Sequence, residues 1–555
     1  MPVTADQLQK EVARRRTFAI ISHPDAGKTT LTEKLLLYGG AIHLAGAVRA
    51  KANQRNTTSD WMEIEKQRGI SISTTVLQFV YQGVQINLLD TPGHKDFSED
   101  TYRTIMAADC AVMLIDAAKG VEPQTRKLFE VCRMRGLPIF TFINKMDRPS
   151  QEPLALIDEL EKVLGIRSCP ITWPIGSGSR FRGVYDRTTS EVLYFQTEGE
   201  ANVKGKLAPK KVNGLSDPVF QELLAGPKKD HDEAKELSGQ LETELELLDL
   251  AGDTLDMKKV WDGQLSPVFF GSAMNNFGIQ RFLEKYIAMA PAPQHRIAHL
   301  EKKEELIEPT DSKFSGFIFK IQANMDPSHR DRVAFMRICS GHFERNMQVK
   351  HTRLSKDIKL SMPLNFFGQE RVVIDQAWPG DIVGLVDTSG QLRIGDTLAE
   401  RPTLQYEAMP TFSPEHFSMM LILDPLKRKQ LKKGLDQLSE EGVVQVYAQP
   451  GFGDRDPVVA AVGALQFEVL QHRIKTEYGV DTKIERLPFL HARWVSGDGF
   501  QASMFDRREE TKLLEDRDQN PVVLFKSDWS LRWCEDNYKT VQFSKIAPLK
   551  KSSNR

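Results

Sequence analysis

Near its amino terminus the chain reads Ser22-His23-Pro24-Asp25-Ala26-Gly27-Lys28-Thr29, directly after the apolar run Phe18-Ala19-Ile20-Ile21. An apolar run, a glycine-containing loop and a Lys-Thr pair predict a strand, a phosphate-binding loop and the first turn of a helix. In such loops, backbone N–H groups surround nucleotide phosphates, the lysine reaches the β- and γ-phosphates, and the hydroxyl binds Mg²⁺. Ser22 stands where the pattern usually has its first glycine, so this stretch alone does not settle the fold.

Three further motifs follow along the chain. They are Asp90-Thr91-Pro92-Gly93-His94, Asn144-Lys145-Met146-Asp147 and Gly271-Ser272-Ala273, and each one ends an apolar run that is typical of a buried strand. Because ligands of open α/β sheets bind at the carboxyl ends of parallel strands, four such motifs at four strand ends predict one nucleotide site.

Each motif has a chemical role. An aspartate at a strand end, Asp90, is placed to hold Mg²⁺ through water, and the Gly93 N–H is placed to meet the γ-phosphate. The Asp147 carboxylate accepts hydrogen bonds from N1 and N2 of guanine, a donor pair that adenine lacks, and so it selects GTP. A backbone N–H of the Gly271-Ser272-Ala273 segment is expected to meet guanine O6.

Composition narrows the class of protein. The chain has 555 residues, a formal net charge of −1 and five cysteines with no C-x-x-C pair. This composition argues against a zinc or disulfide framework and fits a reducing cytoplasm. Without an overall excess of positive charge, any contact with RNA depends on local patches. No apolar run approaches membrane-spanning length, so no membrane is expected.

The pattern of elements predicts a multidomain α/β protein. We expect a P-loop GTPase domain with a parallel sheet at residues 1–295, carrying an insertion at about 165–262. Short alternating strands with glycine turns predict a β-barrel at 310–402. A βαββαβ order predicts a ferredoxin-like α+β domain at 408–555. The charged stretch 301–308 is predicted to be a linker.

Several segments resemble the translational GTPase family along nearly the whole chain. Glu65-Lys66-Gln67-Arg68-Gly69-Ile70-Ser71-Ile72 resembles its first switch segment, and a histidine directly after Gly93 is a mark of the group. Pro379-Gly380-Asp381-Ile382 and Gly395-Asp396-Thr397-Leu398 resemble its barrel domain. The stretch from Ser22 to Thr30 and the segment 463–470 resemble, in particular, the class II release factors of bacteria.

The resemblance implies a ribosome-activated GTPase of translation termination. Such a factor promotes the departure of stop-codon-reading release factors from the ribosome after peptide release, without reading the codon or cutting the ester. The chain agrees in lacking a Gly-Gly-Gln tripeptide. Two alternatives stay open, a translocase like elongation factor G and a GTP-switched ribosome-binding or assembly factor. An elongation factor G has two further domains after the ferredoxin-like unit, and the roughly seventy residues after Glu485 are too few for both.

The resemblance also assigns roles within the site. His94 and Lys28 are the candidate catalytic residues, with His94 orienting the attacking water. Ser71 is the expected switch ligand of Mg²⁺, although Thr74 or Thr75 are alternatives, and Asp25 is a candidate for holding a monovalent cation. The expected metal ligands are Thr29, Ser71 and Asp90. The residues expected to contact GTP or GDP are Ser22, His23, Pro24, Asp25, Ala26, Gly27, Lys28, Thr29, Thr30, Asp90, Thr91, Pro92, Gly93, His94, Asn144, Lys145, Met146, Asp147, Ser272 and Ala273.

The expected partners are the ribosome, through its RNA and proteins, and the codon-reading release factors, with no DNA and no stable self-association. The basic stretch Lys427-Arg428-Lys429-Gln430-Leu431-Lys432-Lys433 is either a solvated helix face or a surface that contacts RNA phosphates.

Overall fold

The structure is a computed structural model. It describes residues 3–545 except for 41–64, 66–70, 195–209, 212–214, 216, 226–229, 302, 324–331, 368–369, 408, 410–412, 451–452, 498 and 506–508. By their contacts the residues form two compact units. The first comprises 1–94, 104–294 and 366–370, and the second comprises 95–103, 295–365 and 371–555.

Twelve helices are present in the described ranges. They are α1 Ala5–Ala13, α2 Lys28–Tyr38, α3 Ser98–Ala107, α4 Pro123–Met134, α5 Pro153–Leu164, α6 Pro218–Ala225, α7 His231–Ala251, α8 Met257–Trp261, α9 Ile279–Met289, α10 Arg428–Glu440, α11 Leu465–Tyr478 and α12 Asp528–Asn537.

The strands up to residue 294 are β1 Arg15–Ser22, β2 Thr75–Tyr81, β3 Val84–Asp90, β4 Cys110–Asp116, β5 Ile139–Asn144, β6 Arg167–Pro170, β7 Thr172–Ile175, β8 Gly183–Asp186, β9 Glu191–Tyr194, β10 Lys210–Lys211 and β11 Leu265–Phe270. The later strands are β12 Arg296–Leu300, β13 Lys303–Ile307, β14 Ser315–Ala323, β15 Arg332–Ser340, β16 Phe343–Glu344, β17 Gln348–His351, β18 Lys356–Lys359, β19 Pro363–Phe367, β20 Glu370–Val373, β21 Gln376–Ala377, β22 Ile382–Val386, β23 Thr397–Ala399, β24 Leu404–Tyr406, β25 His416–Ile422, β26 Gln445–Gln449, β27 Gly453–Ala461, β28 Thr482–Arg486, β29 His491–Ser496, β30 Thr511–Glu515, β31 Pro521–Phe525 and β32 Gln542–Ser544.

The first unit is built around a sheet in the order β2-β3-β1-β4-β5-β11-β6. Every neighbouring pair is parallel except β2 and β3, which form an antiparallel hairpin. Strands β4, β5 and β11 are buried along their whole length, as expected for a sheet covered on both faces. The predicted parallel-sheet domain is confirmed.

The predicted insertion carries its own small sheet. Strands β7, β8, β9 and β10 are antiparallel neighbours. Helix α7 buries Leu237, Leu241 and Leu248 on one face, as their spacing predicts.

The predicted barrel strands lie in the order β18-β17-β23-β14-β15-β22-β19, and each neighbouring pair is antiparallel. Their inward side chains, among them Ile318, Met336, Val383 and Leu398, form one apolar core. The linker prediction for 301–308 is wrong, because β13 forms a hairpin with β12, which also pairs with β24. Ile307, which ends β13, is buried.

The predicted ferredoxin-like order is confirmed. Strands β28-β25-β27-β26 form an antiparallel sheet, and α10 and α11 contribute Leu431, Leu435 and Ile474 to its core. After β28 the chain continues with more strands and a helix. Strands β29 to β32 and helix α12 form a second layer, with β30 paired to β26.

All five cysteines, Cys110, Cys132, Cys169, Cys339 and Cys534, are free thiols buried in these cores. Burial raises the pKa of Cys132 to about 12 and that of Cys169 to about 11. In the described part of the chain, no helix is both long enough and apolar enough to cross a membrane.

Candidate functional site

The phosphate-binding loop connects β1 to α2. Strand β1 ends at Ser22, the loop turns through Asp25 at φ 67° and Gly27 at φ 99°, and α2 begins at Lys28. A Cβ at Gly27 would lie 2.4 Å from the Asn144 side-chain nitrogen, so both backbone conformation and space require glycine there. The loop therefore leads directly into the amino-terminal end of α2, and such a helix terminus favours bound phosphate.

Lys28 contacts two of the three predicted metal ligands. Its ammonium group forms an ion pair with the Asp90 carboxylate and donates a hydrogen bond of 3.3 Å to the Ser71 hydroxyl. Asp90 ends strand β3, next to β1 in the sheet. The lysine and two of the three predicted metal ligands thus surround one position.

The hydroxyl groups considered for the metal differ in their surroundings. The Thr74 hydroxyl lies 2.8 Å from that of Thr104 in a buried pair, and Thr75 opens strand β2. Ser71 is the candidate that contacts Lys28. In the switch segment, residues 66–70 lie outside the described residues. Thr29 occupies the first turn of α2, partly exposed.

The Asn144-Lys145-Met146-Asp147 motif is tied to the phosphate loop. The Asn144 side chain donates to the Ala26 carbonyl at 2.9 Å and accepts from the Ala273 N–H at 2.8 Å. Lys145 donates to the Asp25 carbonyl at 2.6 Å. Met146 is fully buried, and its N–H donates to the Gly271 carbonyl at 3.1 Å. These bonds bring three of the four sequence motifs into a single site.

Within the described residues, only one of the two carboxylate oxygens of Asp147 accepts a hydrogen bond. Oδ2 accepts a hydrogen bond of 2.8 Å from the Asn275 side chain, whereas Oδ1 is buried without a hydrogen-bond partner. A buried carboxylate oxygen without a donor is costly unless a ligand satisfies it. Oδ1 is therefore suited to accept hydrogen bonds from the N–H groups of guanine.

The Ser272 and Ala273 amides are both engaged. The Ser272 N–H donates to the Phe277 carbonyl at 3.0 Å, and the Ala273 N–H donates to Asn144. The Ser272 hydroxyl lies 3.4 Å from the Asn275 side-chain nitrogen. The segment is linked to Asp147 through Asn275. Because both N–H groups already donate to other acceptors, the geometry does not identify which amide would meet guanine O6.

His94 follows the end of β3 and is partly exposed. Within the preceding turn, the Thr91 hydroxyl donates to the Ile20 carbonyl at 2.6 Å. A Cβ at Gly93 would lie 3.4 Å from the Pro24 nitrogen, which places the Asp90–Gly93 turn against the phosphate loop. Of the remaining predicted contacts, Pro92 is buried and Thr30 lies in the first turn of α2.

His23 is held by residues at the start of α4. Its N–H donates to the Thr125 hydroxyl at 3.1 Å, and its Nε2 lies 3.3 Å from the Glu122 carboxylate. The Ser22 hydroxyl is buried without a hydrogen-bond partner. Ser22 therefore adds a small polar group to the loop where glycine is usual.

Two residues of the site were missed in the sequence. Asp116 ends β4 and pairs with Lys145 at 2.7 Å; Asn275 orients Asp147. Burial alone would raise the pKa of the Asp116 carboxyl, but hydrogen bonds from Lys145 and the Ala118 N–H, with the nearby positive charges, lower it overall. The signal for Asp116 was its position at a strand end beside the other motifs, whereas Asn275 had none.

Three family matches cover most of the chain. Residues 13–292 match the Elongation factor Tu GTP binding domain, residues 313–401 match Elongation factor G domain 2, and residues 406–535 match the Class II release factor RF3, C-terminal domain.

Two relatives that match over nearly their whole length carry the same name. Peptide chain release factor 3 of Gloeobacter violaceus is 54% identical over 98% of this chain and 99% of that protein. The protein of the same name from Symbiobacterium thermophilum is 53% identical over 95% of this chain and 97% of its own. A crystal structure of a Thermus thermophilus protein covers 88% of this chain and 71% of its own at a TM-score of 0.66 and 22% identity, a likeness of fold alone. The chain therefore belongs to the peptide chain release factor 3 family, the ribosome-dependent GTPases of translation termination.

Proposed function

We propose that this protein hydrolyses GTP on the ribosome after peptide release and thereby promotes the dissociation and recycling of stop-codon-reading release factors. The observation that carries the GTPase site is the gathering of Lys28, Asp90 and Ser71 in one cluster. The buried Oδ1 of Asp147, which has no hydrogen-bond partner among the described residues, supports the prediction that this residue selects guanine. The match of residues 406–535 to a release-factor domain favours termination over translocation.

In the proposed reaction a water molecule attacks the γ-phosphorus of GTP, the bond to the β–γ bridging oxygen breaks, and GDP and phosphate leave. Positioning and charge neutralisation dominate such a reaction. Lys28 stabilises the charge on the phosphoryl oxygens, and the backbone N–H groups at the end of the loop, those of Gly27 and Lys28, hold the phosphates. His94 orients the water, and the other predicted contacts bind the nucleotide.

The donor set fits Mg²⁺, which prefers oxygen ligands and keeps several waters. We propose Thr29, Ser71 and Asp90 as the residues that hold it. Bound there, the ion would neutralise negative charge on the β- and γ-phosphates. The position fits a cation, because the Lys28 ammonium group already lies against Asp90 and Ser71.

A basic helix face supports contact with ribosomal RNA. Helix α10 exposes Arg428, Lys429 and Lys433, and no ion pair involves these three side chains in the described part of the protein. The first turn of α10 has no acidic residue, and Lys429 and Lys433 are i,i+4 neighbours. Positive charge there is unfavourable for an isolated helix, but RNA phosphates would compensate it.

The remaining parts of the proposal are a cytoplasmic location and three domains, at 1–295, 310–402 and 408–555. The alternatives are an elongation-factor-G-like GTPase and a GTP-switched ribosome-binding factor with little turnover. The second differs from the proposal in one measurable quantity, the rate of GTP hydrolysis on the ribosome.

The test is His94→Ala, measured by single-turnover GTP hydrolysis on ribosomes and by nucleotide affinity off them. We expect hydrolysis to fall by about 10² or more, since a positioned group contributes roughly 10²–10⁴, while GTP and GDP affinity change only a few-fold. Release-factor recycling is followed in the same reactions. An unchanged hydrolysis rate would remove His94 from the mechanism, and a lost GTP affinity would give it a structural role instead.

A further inference from the structure

The segment that directly follows His94 has unexpected neighbours. Residues 95–103 belong by their contacts to the second unit, although residue 94 and residues 104–294 belong to the first. The segment begins with a 3-10 turn over Lys95–Phe97 and continues into α3. Within that turn, Asp96 is only 6% exposed. A buried carboxylate needs a partner, and the partner of Asp96 lies far along the chain.

Asp96 caps a helix that lies 369 residues away. Its Oδ2 accepts a hydrogen bond of 2.7 Å from the N–H of Leu465, the first residue of α11. The residue at the usual capping position is Ala464, whose side chain accepts no hydrogen bond. Helix starts are normally capped by a polar side chain from the preceding residue, and a carboxylate there is also favoured by the helix dipole. Asp96 supplies what the local sequence of α11 lacks.

Two glycines make room for this segment. A Cβ at Gly463 would lie 2.1 Å from the Asp96 carboxyl carbon, and a Cβ at Gly442 would lie 1.9 Å from an Arg103 guanidinium nitrogen. Gly442 also has φ +79°, which favours glycine independently. Both glycines approach residues of the segment 95–103. This segment therefore packs closely against them over about two helical turns.

A hydrogen-bonded side chain connects the segment at Gly463 with the segment at Gly442. The Gln466 side chain accepts from the Gly463 N–H at 2.9 Å and donates to the Val443 carbonyl at 2.8 Å. Gln466 is only 4% exposed. We call residues 442–443 and 463–466 the cradle. Because Gln466 bonds to both parts of the cradle, it holds them in one arrangement around Asp96.

We propose that Asp96 is a positioning residue for His94. The inference rests on the proposed role of His94 in orienting water. Only Lys95 separates the two residues, so anchoring Asp96 in the cradle restricts the positions that the His94 backbone can occupy. A catalytic group loses rate steeply when its position is loosened. The cradle thereby sets how well His94 is presented when the ribosome stimulates hydrolysis, without touching the nucleotide.

The experiment changes both sides of the contact. Asp96→Ala removes the cap, Asp96→Asn keeps an oxygen that can accept the Leu465 N–H, and Gly463→Ala blocks the cradle from the other side. Gly434→Ala is the matched control, because its Cβ would press on Ile474 and Tyr478 of the same helix α11, away from Asp96. Each full-length variant is measured for ribosome-saturated hydrolysis rate, ribosome concentration dependence, GDP affinity and thermal midpoint.

We expect Asp96→Ala and Gly463→Ala to lower the saturated rate on the order of 10-fold, which is less than the roughly 10²-fold cost of misplacing a reacting group by about 1 Å. GDP affinity is expected to stay within about 3-fold of wild type, and Asp96→Asn is expected to recover most of the rate. The double variant, Asp96→Ala with Gly463→Ala, is expected to be no slower than either single variant, because both changes disrupt the same contact. The Gly434→Ala rate stays normal even if its thermal midpoint falls.

Three results would overturn the inference: a normal rate in folded Gly463→Ala, an equal loss in Gly434→Ala, or an effect confined to the ribosome concentration dependence. His94→Ala is run alongside. If it hydrolyses GTP normally, the proposed function of His94 fails; if it is slow while Gly463→Ala is normal, only the positioning role of Asp96 fails.

Discussion

Nucleotide choice is predicted to depend on Asp147, whose Oδ1 is buried without a partner and whose Oδ2 is held by Asn275. Asp147→Asn replaces a charged double acceptor with an amide that accepts at one atom and donates at the other. Guanine would keep one neutral hydrogen bond at N1 and face a second donor at its 2-amino group. Xanthine carries an oxygen at that position, which accepts from the new amide.

The size of the effect follows from these bonds. Losing one charge-assisted hydrogen bond and leaving a donor unpaired costs about 3–5 kcal/mol, which is about 10²–10⁴-fold in GTP affinity. Affinity for xanthosine triphosphate is expected to rise by at least about 10-fold. Equilibrium binding of both nucleotides to wild type and variant gives the two numbers.

The control for this prediction is Asn275→Ala. It removes the side chain that orients Asp147 but keeps the carboxylate, so GTP affinity is expected to fall only several-fold, with no gain for xanthosine triphosphate. Unchanged GTP affinity in Asp147→Asn, or a preference for xanthosine triphosphate in Asn275→Ala as well, would contradict the placement of guanine at Asp147.

Three further predictions concern charge and metal. Lys28→Ala is expected to abolish productive GTP binding, because the positive charge beside the phosphates is lost; normal turnover on ribosomes would refute the phosphate-loop assignment. Ser71→Ala is expected to lower Mg²⁺-dependent hydrolysis by about 10-fold or more, whereas Thr74→Val leaves it unchanged, and the reverse pattern would identify Thr74 as the ligand. Burial of Asp396 opposes its charge, but hydrogen bonds from Arg353 and His351 hold its pKa below the usual value. A lowered folded-state pKa stabilises the protein fully above the unfolded value of about 4, and this stabilisation is lost as pH falls from there through the lower folded-state pKa. The thermal midpoints of wild type and Asp396→Asn should therefore differ most above pH 4 and converge below it, and a constant gap would argue against this linkage.

The sequence predicted those parts of the fold that depend on local patterns. The run Phe18–Ile21 and the run that ends at Asp90 are apolar because parallel strands are buried on both faces, and the residue after each such run lies at the ligand-binding edge. The buried faces of α10 and α7 agree with the spacing of leucines at intervals of three and four residues along each helix.

What the sequence did not predict depends on contacts between distant residues. Strand β13 consists mostly of charged residues and gains its structure by pairing with β12, while Arg401 from a later part of the chain neutralises Glu305. Asn275 resembles any polar loop residue until the fold brings it to Asp147. Asp96 likewise has no local sign that its partner is Leu465.

The burial of all five thiols has a practical consequence. Thiols with pKa values near 11 and 12, such as Cys169 and Cys132, carry almost no thiolate at neutral pH, and thiolate is the form that alkylating dyes attack. The native chain should accordingly tolerate site-specific fluorophore attachment at a single cysteine introduced on its surface, with no need to remove the existing ones. Conversely, dye uptake by the unmodified chain should report its opening, with Cys110, Cys132 and Cys169 sampling the first unit and Cys339 and Cys534 the second.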